Sequence, residues 1–88
     1  MKKKSGVHID PQEPVYVISA VSHIVHMPVW TLRLLDREGV IKPKRLGKKT
    51  RFYCLNDIER LEYVHYLMEE KGVNIQGIKF ILHTREKV

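Results

Sequence analysis

Charge of one sign, gathered in one short span, is the plainest chemistry in this chain. Between Pro28 and Tyr53 stand Arg33, Arg37, Lys42, Lys44, Arg45, Lys48, Lys49 and Arg51, opposed only by Asp36 and Glu38. Eight bases less two acids leave +6, which is also the formal charge of all 88 residues. The rest of the chain carries eight bases and eight acids and cancels. Charge that served solubility alone would be spread more evenly. Confined to under a third of the chain, it is the footprint of a surface that meets a polyanion, most often nucleic acid.

Catalytic and metal chemistry have no comparable footing. The histidines are scattered, with no partnered carboxylate or nucleophile at a recognisable spacing. A chain of 88 residues also leaves little room for an enclosed pocket, so an enzyme is the poorest reading. His23 and His26 stand at i, i+3, the spacing of a metal pair on a helix. Two ligands without a third do not make a site, and neither metal nor cofactor is expected. Cys54 is the single cysteine, which excludes an intramolecular disulfide and a multi-cysteine zinc site. No apolar run approaches the ~20 residues of a membrane span. The lysines at the N-terminus have no apolar stretch behind them, so a signal peptide is not expected either. The default location is cytoplasmic, with no membrane partner.

The elements that must carry these bases can be read from period and punctuation. Residues 28–38 read as a short helix. Proline suits its first turn, and Gly39 suits the position just past its end. Leu32 and Leu35 share one face; Trp30, Arg33, Leu34 and Arg37 share the other. Residues 42–53 read as a β-hairpin, with strands at 44–46 and 51–53 and a tip at 47–50. Six bases and no acid lie between Lys42 and Arg51, and the tip is expected to be mobile until a ligand orders it. Val40 and Ile41 should pin the end of the helix to the core.

Around this stretch the rest falls into place. Residues 1–14 are polar and proline-bearing and read as a disordered arm, in which residues 2–4 offer lysines to phosphate. Residues 15–18 form a brief β-rich run that leads into the domain. Ser19 suits a helix N-cap, followed by an apolar stripe of Ala20, Val21, Ile24 and Val25. A break is expected at Met27, because the residue before a proline is disfavoured in helical geometry. Residues 54–71 read as the longest helix. Cys54 or Asn56 would cap it, Asp57 and Glu59 lie near its N-terminal dipole, and Ile58, Leu61, Val64 or His65, and Met68 would face inward. Gly72 ends it. Asn74 caps a last short helix with Ile75, Ile78, Ile81 and Leu82 inward, leaving residues 83–88 as a tail. The fold expected is mainly α: a winged helix-turn-helix with a small β-hairpin wing and two C-terminal helices.

Such a fold places its second helix in the DNA major groove, N-terminal half first. Val29, Trp30 and Arg33 are then positioned to reach bases. Arg33 is suited to a bidentate pair with guanine, worth roughly 1–3 kcal/mol of discrimination. Trp30 either packs on a thymine methyl or sugar, or plugs the core beside Leu34. Arg37 falls nearer phosphate. Lys48, Lys49 and Arg51 lie along the backbone or minor groove of the neighbouring turn and supply affinity and salt dependence. Ser19, Thr31, Lys44, Arg45 and Tyr53 complete the set expected at the DNA backbone. Two other readings use the same basic face: an excisionase-like recombination accessory factor and a protein-interaction adaptor.

The motifs Tyr16-Val17-Ile18-Ser19, Thr31-Leu32-Arg33, Asp36-Arg37-Glu38-Gly39-Val40-Ile41, Pro43-Lys44-Arg45, Arg51-Phe52-Tyr53, Asp57-Ile58 and Gly72-Val73-Asn74-Ile75-Gln76-Gly77-Ile78-Lys79 occur in order over residues 16–82. Together they resemble the MerR family of winged helix-turn-helix transcription regulators. The first and last are most similar to its heat-shock repressors, the HspR type. The resemblance implies a DNA-binding domain over residues 15–82 and a homodimer on a palindromic operator. It further implies repression of stress or chaperone genes in the bacterial cytoplasm, in association with the nucleoid, with a DnaK-type chaperone as co-repressor. The chain departs from the pattern at Leu34 and Leu35, where aromatic residues are common. It departs again at His26, where a glycine is usual and a left-handed backbone is expected, and at Trp30 on the outer face. Family members dimerise through a long helix beyond this domain. Six residues follow Leu82, too few for a heptad, so either the chain is an isolated DNA-binding domain or dimerisation uses something else; as given it is expected to bind a half-site weakly.

Overall fold

The computed structural model describes residues 8–86; the lysines of residues 2–4 lie outside them. The elements run β1 (Tyr16–Val17), α1 (Ile18–Val25), α2 (Val29–Arg37), β2 (Lys44–Leu46), β3 (Thr50–Tyr53), α3 (Leu55–Glu69) and α4 (Ile75–Glu86). Among the described residues, four helices and a small antiparallel sheet make the expected winged helix-turn-helix. No helix among the described residues is long and apolar enough to cross a membrane.

The sheet has three strands in the order β1-β3-β2, where a two-stranded hairpin was expected. Tyr16 pairs with Tyr53 and Val17 with Phe52. On the other side, Lys44 faces Phe52, Arg45 faces Arg51 and Leu46 faces Thr50. The β-rich run before α1 is therefore a third strand. It covers the inner edge of β3, whose backbone groups would otherwise be left without partners, and it moors the wing to the start of α1.

That pairing also explains where α1 begins. Its N-cap is Val17, in extended geometry and with no side-chain cap. Ser19 lies inside the first turn and is not the cap; the helix starts where the strand stops. Val21 and Val25 are buried, whereas Ile24, expected in the same stripe, is 44% exposed. An eight-residue helix presents only a narrow face to the core. The turn that follows bends at His26, with φ 60° and ψ 41°, the left-handed position expected there. The Ser22 hydroxyl closes it by donating to the Met27 carbonyl.

Helix α2 begins at Pro28 as N-cap, whose carbonyl accepts from the amides of Thr31 and Leu32. It ends in two backbone bonds, Gly39 N–H to the Asp36 carbonyl at 3.0 Å and Val40 N–H to the Leu35 carbonyl at 2.8 Å. This is a Schellman closure, which needs a left-handed residue; Gly39 supplies it with φ +77°. Val40 and Ile41 are buried just beyond and pin the helix end as expected.

Helix α3 is stabilised at its start by Asp57, whose carboxylate accepts from the Cys54 amide at 3.1 Å. Ile58, Leu61, Val64 and Leu67 face the core, so Val64 rather than His65 takes the inward position. The helix stops at Glu69, two residues before the expected end at Lys71. The Asn56 amide donates to the Pro11 carbonyl at 3.0 Å, which ties part of the expected arm to α3. Asn74 Oδ1 accepts from the Gly77 amide at 2.9 Å at the start of α4. Ile78 and Leu82 are buried, Ile75 and Ile81 half-buried, and the helix runs on past Leu82 to Glu86. The core thus lies where α1, the inner face of α2, α3 and α4 meet, and the second helix is left with one face free.

Candidate nucleic-acid interface

Burial of Leu32 and Leu35 decides what α2 shows to solvent. Residues on a helix one turn apart share a face, so with the leucines inside, Trp30, Arg33 and Arg37 are all exposed. Trp30 is 68% exposed, which removes the alternative in which it plugs the core beside Leu34. Val29 and Leu34 are half-buried at the margins. Neither Arg33 nor Arg37 has an ion-pair partner among the described residues.

Beside this face stands the wing. Lys44, Arg45, Lys48 and Lys49 are exposed, as is everything else from β2 to Thr50. The tip turns at Gly47, where φ is +73°. Arg33 and Arg37 of the helix face and Lys48 and Lys49 of the wing tip are thus all open to solvent. Ser19 is exposed on the first turn of α1.

Two residues expected at a DNA backbone are placed elsewhere. Thr31 is buried at 6% exposure and Tyr53 at 1%. Thr31 follows Trp30 by one position and so turns inward beside Leu32. Tyr53 is the last residue of β3 and points into the core, where its hydroxyl is buried without a hydrogen-bond partner. Burial, and then the nearby Asp36 carboxylate, push its pKa from 10.0 up to about 12; the Arg51 charge acts the other way. Such a hydroxyl stays protonated and inside, and does not reach a phosphate.

Asp36 is the residue that counting bases missed. It is 7% exposed, and its Oδ2 accepts from Arg45 Nη2 and from Arg51 Nε, both at 2.7 Å. Two of the expected phosphate contacts are thus also bound internally, Arg51 more deeply than Arg45, with side chains 19% and 41% exposed. A signal was present in the sequence. Asp36 lies at i+4 from Leu32, on the apolar stripe, and an acid there must find a cation. A looser ion pair, Lys79 to Glu38 at 3.8 Å, links α4 to the end of α2.

Among the described residues no three His, Cys, Asp or Glu side chains are grouped for a metal ion. His26 lines a cleft of about 210 Å³ with Trp30, His65 and Met68, between the start of α2 and the end of α3.

Residues 16–84 match the sequence model described as MerR HTH family regulatory protein. The chain is also 33% identical over 87 residues to a protein of Streptomyces coelicolor named "Putative heat shock protein HspR". That match covers 99% of this chain but 58% of the relative, so the chain spans little more than half of that protein's length.

Proposed function

The chain belongs to the MerR family of helix-turn-helix regulatory proteins, and from that premise we propose that it is a sequence-specific double-stranded DNA-binding transcriptional regulator. One observation carries this reading: Arg33 and Arg37 of α2, exposed and without an ion-pair partner among the described residues, stand on the helix to which the exposed, lysine-bearing wing is bonded, in a chain whose whole excess charge lies in that stretch. Helix α2 enters the major groove, where Arg33 pairs with guanine and Trp30 meets a thymine methyl or sugar. Lys48 and Lys49 hold the backbone of the adjacent turn.

The finer reading is a repressor of stress or chaperone genes that binds a palindromic operator as a homodimer, with a DnaK-type chaperone as co-repressor. Its support is the name of the relative, a putative heat shock protein, and the motifs at residues 16–19 and 72–79. The test is to pass sheared genomic DNA of the source organism over the purified chain and sequence what is retained. Enrichment of a common motif upstream of chaperone genes is the expected result. Retention without any shared motif would leave only non-specific polyanion binding and end the regulator reading.

A further inference from the structure

Asp36 is the only acid on α2, and it would sit among the groups proposed to meet DNA. By charge alone it should weaken binding. Its geometry points the other way. Arg45 and Arg51 are directly opposed across the β2–β3 ladder, where like charges repel. The Asp36 carboxylate lies against both guanidinium groups and accepts one hydrogen bond from each at 2.7 Å. It reaches both strands of the wing from the helix that presents Trp30 and Arg33. Each guanidinium spends part of its fork of five donors on this contact. The N–H groups left over are held in fixed directions, and the Arg45 side chain remains 41% exposed. A donor oriented before binding loses less conformational freedom when it meets a phosphate.

We propose that Asp36 is a positioning residue for DNA recognition. It sets the wing against α2 and aims the Arg45 and Arg51 guanidinium groups, so that phosphate contacts of the wing and base contacts of Arg33 are made together in one register. This rests on the DNA-binding function proposed above. The consequence is a split in sign. Asp36 opposes non-specific binding through its charge and favours specific binding through geometry.

The experiment compares the wild-type chain with Asp36→Asn on two short duplexes by fluorescence anisotropy. One carries the sequence that the wild type enriches from genomic DNA; the other is a scramble of equal composition. Affinity of Asp36→Asn for the enriched duplex should fall about tenfold, within the range of couplings measured between residues of one ion-pair network. Affinity for the scramble should stay level or rise, because a negative charge has gone. Equal loss on both duplexes, or loss on neither, overturns the proposal. Circular dichroism establishes that the variant is folded; if it is not, Arg45→Lys decides alone. That exposed substitution keeps the charge and removes the fork, and it should show the same split in smaller degree. Lysine matching arginine on the enriched duplex overturns the proposal. A wild-type chain that prefers neither duplex instead overturns the proposed function, and this inference with it.

Discussion

Helix α2 and the wing both present exposed bases, but they are held in place by different forces. The helix is fixed by apolar burial, through Leu32 and Leu35 beneath it and Val40 and Ile41 just past its end. Its arginines are therefore free to act outward. The wing has almost no apolar mass of its own: β2 is exposed throughout, and Tyr53 at the end of β3 is its deepest anchor. It is kept on the helix by backbone pairing to β1 and by the two ion pairs to Asp36. Position in sequence alone would make all these bases equivalent. An arginine in a basic run is left open or bound into the fold according to what lies behind it.

Several substitutions separate the two regions, and they differ in size. Leu35→Ala strikes the support of α2, at a fully buried site, and should cost about 2–5 kcal/mol of stability in chemical denaturation. A loss well under that range would mean that the helix is held by something other than its leucines. Arg33→Ala should leave the denaturation midpoint nearly unchanged. It should remove roughly 1–3 kcal/mol of discrimination at one or two base positions, measured by competition between single-base variants of the enriched duplex. Unchanged base preference would move the reading role to Trp30 or Val29.

Replacing Lys48 and Lys49 together by Ala acts on the wing tip, where no base discrimination is expected. Specific and scrambled duplexes should weaken to a similar extent. The slope of log affinity against log salt should flatten by about one to two, since each phosphate contact contributes about 0.9. Loss of sequence preference with the slope intact would reverse the assignments of helix and wing.

Tyr53→Phe should have the smallest effect, and on stability alone. Its hydroxyl is buried without a partner, so removing it should stabilise the fold by about 1 kcal/mol and leave the salt slope for DNA unchanged. The pH dependence has a definite sign. In the folded chain the phenol ionises only at about 12, against 10.0 ordinarily, so the unfolded chain releases its proton first. The corresponding stability is complete below about pH 10 and is lost as pH rises from there through about 12. The Phe variant should lack that part of the alkaline loss in urea titrations at successive pH values; an identical alkaline loss would show that Tyr53 is not its source.

Much of this organisation was legible in short spans of residues. The leucine spacing in α2, the glycine that closes it and the Asn74 cap all depend on neighbours within a few positions, whereas the left-handed turn at His26 came from the family resemblance. Local backbone and periodicity rules reach that far. The basic face was legible for a similar reason, since charge adds along a contiguous stretch whatever the fold. The expectation for Ser19 failed because a strand, rather than a side chain, starts α1. Thr31 and Tyr53 were misplaced because residue type says little about which way a polar side chain turns when a helix or strand docks.

What the sequence by itself determined, then, is that one basic stretch dominates the chain and that it is carried by a short helix followed by a hairpin. Tertiary structure alone decided which of those bases are free. The bonds from Asp36 to Arg45 and Arg51 span nine and fifteen residues, and β1 reaches across the whole helix-turn-helix to pair with β3. Contacts over such separations form only when the chain folds back on itself. Packing of Leu32 and Leu35 then turns Trp30 and Arg33 outward and brings Asp36 beneath the wing.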